Sequence, residues 1–141
     1  MESLIQEADV VYHLAAVVGV RHVLDHPVLG IKTNVTGTDI VLELAHRWGC
    51  RIVIASSSEV YGKSTRVPLS EEDDRVFGPT RVVRWSYAES KALDEYLALG
   101  YYRQGLSVSI VRYFNSYGPH TDPNGYGSVV ARFVTQALSG G

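Results

Sequence analysis

Tyr87 and Lys91 stand four residues apart in Trp85-Ser86-Tyr87-Ala88-Glu89-Ser90-Lys91, a stretch that reads as the first turns of a helix. At that spacing a phenol and an ammonium lie one above the other on a single helical face. A lone tyrosine ionises near ~10, so it is protonated at neutral pH and makes a poor base. A cation within about 4 to 6 Å favours the phenolate and draws its pKa toward the range useful for acid/base work. The pair is the first candidate for proton transfer. In an arbitrary helix the same two residues are more often a packed ring and a solvated amine, so the case depends on what the rest of the chain brings beside them.

Ser56-Ser57-Ser58-Glu59-Val60-Tyr61-Gly62 offers three hydroxyls and a carboxylate directly after the β-rich run Arg51-Ile52-Val53-Ile54-Ala55. The carboxyl ends of strands in an open parallel sheet are where ligands bind, although a serine-rich turn also satisfies its own backbone. Ala15 and Ala16 end another such run, residues 8–16, and small residues there let a flat ligand or a phosphate approach the main chain. Asn115 follows a third run, residues 106–114. His13 has no His, Cys or carboxylate at metal-ligand spacing nearby, so it reads as a hydrogen-bonded structural histidine, and no metal is expected.

The elements that must position these groups follow from periodicity. Residues 1–7 resemble the tail of an amphipathic helix. Val28, Ile31, Val35, Ile40, Val41, Leu44, Ala45 and Trp48 carry a helical period over residues 27–48, with Gly49 as a left-handed stop. Thr33-Asn34-Val35-Thr36-Gly37-Thr38 is poor helix material, which either close packing at Gly37 or a polar task for Asn34 would explain. Residues 63–83 are polar and irregular; the run Glu71-Glu72-Asp73-Asp74 reads as a solvated face and Gly78-Pro79 as a turn. Helix resumes near Trp85 and runs to about Gly105, and a last helix is expected over residues 126–141. Alternating strands and helices of this kind predict an α/β fold, a parallel sheet covered on both faces, with the three strand ends converging on one edge. Ala15, Ala16, Ser57, Ser58, Glu59 and Asn115 then meet beside Tyr87 and Lys91.

With 141 residues, 45% hydrophobic and 20% charged, the chain reads as a single globular domain over residues 1–141. A net charge of -2 gives no electrostatic case for nucleic acid or an anionic membrane as the main partner. The most apolar run, residues 8–20, is broken by Asp9 and His13 and is too short to span a bilayer. The lone cysteine, Cys50, reads as buried filler in a reducing compartment, and a cytoplasmic location is expected.

His13-Leu14-Ala15-Ala16, Asn34-Val35-Thr36-Gly37-Thr38, the Ser56 to Gly62 stretch, Tyr87-Ala88-Glu89-Ser90-Lys91 and Arg112-Tyr113-Phe114-Asn115-Ser116-Tyr117-Gly118-Pro119 occur here in order. In this the chain resembles the NAD-dependent epimerase/dehydratase family, the extended short-chain dehydrogenase/reductases that act on nucleotide sugars. The resemblance implies a Rossmann-like doubly wound sheet and a bound NAD that oxidises C4 of a nucleotide-linked sugar. It gives Tyr87 the proton of the sugar 4-hydroxyl, Lys91 the nicotinamide ribose and the lowering of the tyrosine pKa, and Ser57 a hydrogen bond to the same hydroxyl. Leu14, Ala15, Ala16, Asn34 and Ser56 would lie along the cofactor, Phe114 near its nicotinamide end, and Asn115 on the substrate diphosphate.

Ser58 and Glu59 bear on the reaction. Glu-Val-Tyr-Gly resembles the sugar 4,6-dehydratases and UDP-glucuronate decarboxylases more than the 4-epimerases, and Ser rather than Asp before Glu59 resembles the decarboxylase branch. A UDP-sugar 4-epimerase, a UDP-glucuronate decarboxylase and a nucleotide-sugar 4,6-dehydratase all stay open, whereas a short-chain reductase of alcohols or steroids is disfavoured by the Glu59 and Arg112 motifs. The family's first strands with their glycine-rich phosphate turn, and its C-terminal substrate lobe, have no counterpart in these residues. The chain therefore reads as the middle of a longer enzyme, expected by itself to bind NAD weakly and to be inactive. A truncated remnant that keeps only fold and association is the competing expectation. By resemblance, the two long helices imply a homodimer.

Overall fold

The computed structural model describes residues 1–122 and 129–140. The expected start of the last helix at residues 126–128 lies outside the described residues. Three apolar runs form the strands β1 (Val10–His13), β2 (Arg51–Ser57) and β3 (Val108–Tyr113) of one parallel sheet, in the order β1-β2-β3. The register pairs His13 with Ile54 and Ser57 with Tyr113, so β2 and β3 end level while β1 stops short. β1 is shorter than its apolar run because the Leu14 N–H turns back to the Tyr12 carbonyl, 3.1 Å away.

Short α1 (Glu2–Gln6) precedes β1 and sends Ile5 into the core. The first crossover carries α2 (Val20–Asp25) and α3 (Pro27–Trp48). The six-residue α2 is too short to show a period in sequence. His26, at φ -134° and ψ 55° and so outside the helical region, as the residue before a proline tends to be, separates it from α3. Pro27 opens α3 without losing a needed N–H, and Gly49, at φ 68°, closes it in the left-handed conformation.

The second crossover carries α4 (Ser86–Arg103), which packs on α3 and on β2. Along β2 burial alternates, and Ile52, Ile54 and Ser56 face these helices. Ile52, Ile54, Leu42, Ala45, Ala98 and Leu106 form the centre of the core. The sequence alternation predicts helices on both faces; among the described residues one face is covered. Successive crossovers stepping from β1 to β2 to β3 in one direction place their helices on the same side. Tyr12, Val111 and Tyr113 are exposed, as are Val130, Phe133 and Val134 of α5 (Val129–Leu138). Among the described residues no helix is long and apolar enough to cross a membrane.

The segment between β2 and α4 is irregular, yet it is fixed. Gly62 sits at φ +67°, and a Cβ there would lie 2.2 Å from the Val76 carbonyl oxygen, so only glycine lets the loop return across the strand end. The acidic run is not uniformly solvated. The Asp73 carboxylate is nearly buried, accepting from Arg66 Nη1 at 2.7 Å and from the Ser70 N–H at 2.7 Å, because the turn it closes needs an acceptor.

Candidate active site

β2 delivers Ser57 at its carboxyl end, and a 3-10 turn (Ser58–Tyr61) follows at once. The Ser57 hydroxyl caps that turn by accepting from the Glu59 N–H at 3.2 Å. α4 begins one residue before Tyr87 and brings the phenol close to Ser57 and Glu59, both of which act on its pKa. Tyr87, Ser57 and Glu59 therefore stand together at the end of β2. Ser58 is half-buried beside them.

Lys91 lies on α4 below Tyr87, but its ammonium is bonded to Asp94 Oδ2 at 3.2 Å, and both side chains are buried. The spacing argument expected Lys91 to lower the tyrosine pKa. Instead burial pushes the Tyr87 phenol above its ordinary value, helped by the negative charges of Glu59 and Asp94 and opposed by the Ser57 hydrogen bond. The cation is engaged by a nearer carboxylate, so its pull on the phenol is neutralised. Burial also raises the Asp94 carboxyl, against the attraction of Lys91.

Under the site runs a chain of buried polar groups. His13 Nε2 is 3.0 Å from the Thr38 hydroxyl, beside the buried Asp94, whose Oδ1 has no hydrogen-bond partner among the described residues. His13 is thus the structural histidine the sequence suggested. Burial, then the charge of Lys91, lowers its pKa below the ordinary 6.5. The unfolded chain therefore binds a proton near that pH that the folded chain refuses, and stability falls as the pH drops below it. Urea unfolding at pH 7.5 and 5.5 is expected to show His13→Asn losing less stability with acid than the wild type; equal losses would remove His13 from the titration.

Asn34 resolves the odd composition of α3. Its Oδ1 accepts from the Val17 N–H at 2.7 Å, and its Nδ2 donates to the Val17 carbonyl at 3.3 Å and to the Ser90 hydroxyl at 3.2 Å. A Cβ on Gly37 would meet nothing within 4 Å, so the polar task of Asn34, and not close packing at Gly37, explains the segment. Asn34 ties the loop after β1, which carries Leu14, Ala15 and Ala16, to α4. Leu14 and Ala15 are exposed along the strand ends and Ala16 is half-buried. Phe114 and Asn115 follow β3, both exposed, and the Phe114 ring stands 6.2 Å from that of Tyr61.

Ser56 faces the helices, where its hydroxyl donates to Glu95 Oε1 at 2.5 Å. Glu95 also accepts from Arg112 Nε at 2.9 Å and Nη2 at 2.8 Å. Burial alone would raise the Glu95 carboxyl, but the bonds from Arg112 and Ser56 hold it below its usual value. The Arg112 guanidinium in turn lies 4.7 Å from the Tyr61 ring centre. This network joins α4, β2, β3 and the 3-10 turn, and the sequence reading did not single out Glu95. Its signal was present: Arg112 is a charge inside an apolar strand, which requires a buried partner, and Glu95 lies one helical turn beyond Lys91. Arg84, whose Nη1 is 3.2 Å from Glu59 Oε2, also escaped notice. Among the described residues no group of His, Cys, Asp and Glu could hold a metal ion.

The arrangement offers a phenol with a hydroxyl relay, a carboxylate one turn away and small or flat residues along three strand ends. Groups of these kinds can move a proton to or from a ligand laid across the sheet edge. The chain is 48% identical over 140 residues to a UDP-N-acetyl-alpha-D-glucosaminuronate decarboxylase of Bacillus cytotoxicus, an alignment covering 99% of this chain and 43% of the relative. It superposes with TM-score 0.89 and 27% identity on PbgP3 protein from Burkholderia pseudomallei, covering 99% of this chain and 43% of that one. It also superposes with TM-score 0.82 and 31% identity on MoeE5 in complex with UDP-glucuronic acid and NAD, covering 99% of this chain and 44% of that one. The model of the NAD dependent epimerase/dehydratase family matches residues 1–141, and the chain belongs to that family.

Proposed function

We propose that this chain is the central part of a longer NAD-dependent enzyme that oxidises C4 of a nucleotide-linked uronic acid and releases its carboxyl group as CO2. The observation that carries this reading is the Ser57-Ser58-Glu59 turn, which sets a carboxylate held by Arg84 beside Tyr87. Likeness over 99% of the chain to a uronate decarboxylase supports it. The chain spans about 43% of that relative's length.

NAD fits the residues present. The exposed Leu14, Ala15 and Phe114 at the strand ends leave room for a flat ring against the sheet edge, and the Lys91 ammonium, which gives one of its three N–H donors to Asp94, keeps two for a sugar hydroxyl. Leu14, Ala15, Ala16, Asn34, Ser56, Lys91 and Phe114 hold it in this reading, with Asn34 and Ser56 acting through the loop and strand they fix. When bound, NAD supplies the acceptor for the C4 hydride. Tyr87 takes the 4-hydroxyl proton, and Ser57 orients that hydroxyl. With a ketone at C4, the C5–C6 bond breaks to give CO2, and its electron pair is left as an enolate across C4 and C5. Ser58 and Glu59 orient the leaving carboxylate and manage the proton that replaces it on C5; the hydride then returns to C4 and Tyr87 gives its proton back to the oxygen, which leaves the pentose. Asn115 holds the diphosphate.

A product assay on the full-length enzyme with NAD and UDP-glucuronate, UDP-glucose and dTDP-glucose tests the reading. CO2 and a pentose nucleotide are expected from the uronate, with Glu59→Gln reducing turnover about 10²-fold or more. Interconversion of glucose and galactose nucleotides, unaffected by Glu59→Gln, would make it a 4-epimerase, and loss of water from dTDP-glucose a dehydratase. No turnover of any of them would favour the inactive remnant.

The same reading includes a homodimer formed through α3 and α4. The two helices pack together and expose Val28, Ile31 and Ile40 on one and Leu93, Tyr96 and Tyr102 on the other, an apolar surface that a second copy would bury. Light scattering at micromolar concentration is expected to give twice the chain mass; a clean monomer would refute it. The buried unpaired thiol of Cys50 accords with a cytoplasmic location.

A further inference from the structure

The charges around Glu59 are unevenly committed. Lys91 is buried on Asp94. Arg112 is held by two bonds to Glu95. Arg75 donates to the Val60 carbonyl at 3.1 Å and to Glu89 at 2.9 Å. Arg84 differs: its Nη1 and Nη2 point at the two oxygens of Glu59, at 3.2 and 3.3 Å, while its side chain is 43% exposed. A guanidinium has five N–H donors, so this one can engage a second carboxylate from the solvent side.

Its position is built. The Arg84 guanidinium carbon stands 4.9 Å from the centre of the Trp85 ring. That ring meets Phe77 edge-on at 5.6 Å between centroids. Trp85 also presses so closely on Gly78 that a Cβ there would lie 2.3 Å from its Nε1. A stacked, planar guanidinium loses little freedom when it forms a further bond. A ligand carboxylate entering beside Tyr87 meets Glu59, and two carboxylates side by side are unfavourable unless a cation lies between them.

We propose that Arg84 reads the acid group of the substrate, taking a nucleotide-linked uronate's carboxylate alongside Glu59 and so selecting acidic over neutral sugars. This rests on the uronate reading above and adds the residue that enforces it. Arg84 lies three residues before the catalytic tyrosine, so the group that recognises the acid and the group that takes the 4-hydroxyl proton share one short backbone segment. Recognition of the acid and alignment of C4 are thereby coupled.

The test is isothermal titration of UDP-glucuronate and of UDP-xylose, the pentose that lacks the carboxyl, on the full-length enzyme and its Arg84→Gln, Arg84→Lys and Lys63→Gln variants. Lys63 serves as the control because its ammonium sits over the other partner, 5.5 Å from the Trp85 ring centre. Arg84→Gln is expected to lower the preference for the uronate by about tenfold or more, Arg84→Lys to recover part of it, and Lys63→Gln to leave it in place. Equal weakening of both ligands by Arg84→Gln, an unchanged ratio, or loss of the preference through Lys63→Gln would overturn the assignment. CO2 release by the wild type separates the two proposals. A preference that needs Arg84 without CO2 keeps Arg84 and removes the decarboxylase; CO2 with a ratio indifferent to Arg84 does the reverse.

Discussion

If the proposed reaction holds, Tyr87→Phe is expected to reduce C4 oxidation by the full-length enzyme about 10³-fold, within the range usual for loss of a positioned acid/base group. The variant keeps the ring and removes only the hydroxyl that meets Ser57. Substrate affinity should change little, so the loss falls on kcat, which single-turnover formation of NADH measures directly. A tenfold loss or less would mean that another group takes the proton. The direction of the Tyr87 shift adds a second readout. In the chain as it stands, burial and the charges of Glu59 and Asp94 hold the phenol above its ordinary value of 10.0. Ultraviolet titration should therefore show Glu59→Gln bringing the Tyr87 transition to lower pH, because one of the charges that opposes ionisation is gone. A transition that stays in place would mean that Glu59 and Tyr87 do not sense each other.

Arg112→Met is expected to destabilise the fold by about 3 kcal/mol, since it strands the Glu95 carboxylate among buried groups. The two side chains are only 16% and 11% exposed, so solvent does little to replace the lost partner. Glu95→Leu combined with Arg112→Met should recover much of that loss, because the buried charge then has no need of a partner. Urea unfolding followed by tryptophan fluorescence measures both. The pH dependence carries a sign. Glu95 is held below its ordinary 4.5, so its contribution is present above that pH and is lost as the pH falls through the lower folded value. The gap between wild type and Arg112→Met should narrow in acid. A gap that is constant with pH, or a double variant no better than the single one, would show that Glu95 and Arg112 do not stabilise as a pair.

The sequence by itself determined the parallel α/β fold and the meeting of Ser57, Glu59 and Tyr87. Each depends on a short-range pattern. β-rich runs ending in small or hydroxyl residues marked the strand ends, a helical period bounded by Pro27 and Gly49 marked α3, and four-residue spacing put Tyr87 above Lys91. α2 was illegible because six residues after a glycine carry no period. Only the tertiary structure decided where the polar groups point. Lys91 is drawn to Asp94, three residues on, and burial, followed by the charges of Glu59 and Asp94, shifts the Tyr87 phenol upward, against the expected direction. Asn34 closes on Val17 and Ser90 across 17 and 56 residues of chain. Glu95 meets Ser56 and Arg112 across three elements, and Arg84 meets Glu59 across 25 residues. Hydrophobic periodicity says which face of an element is buried. Which buried carboxylate satisfies which buried cation is settled by distances between elements, and those exist only once the sheet and helices have packed.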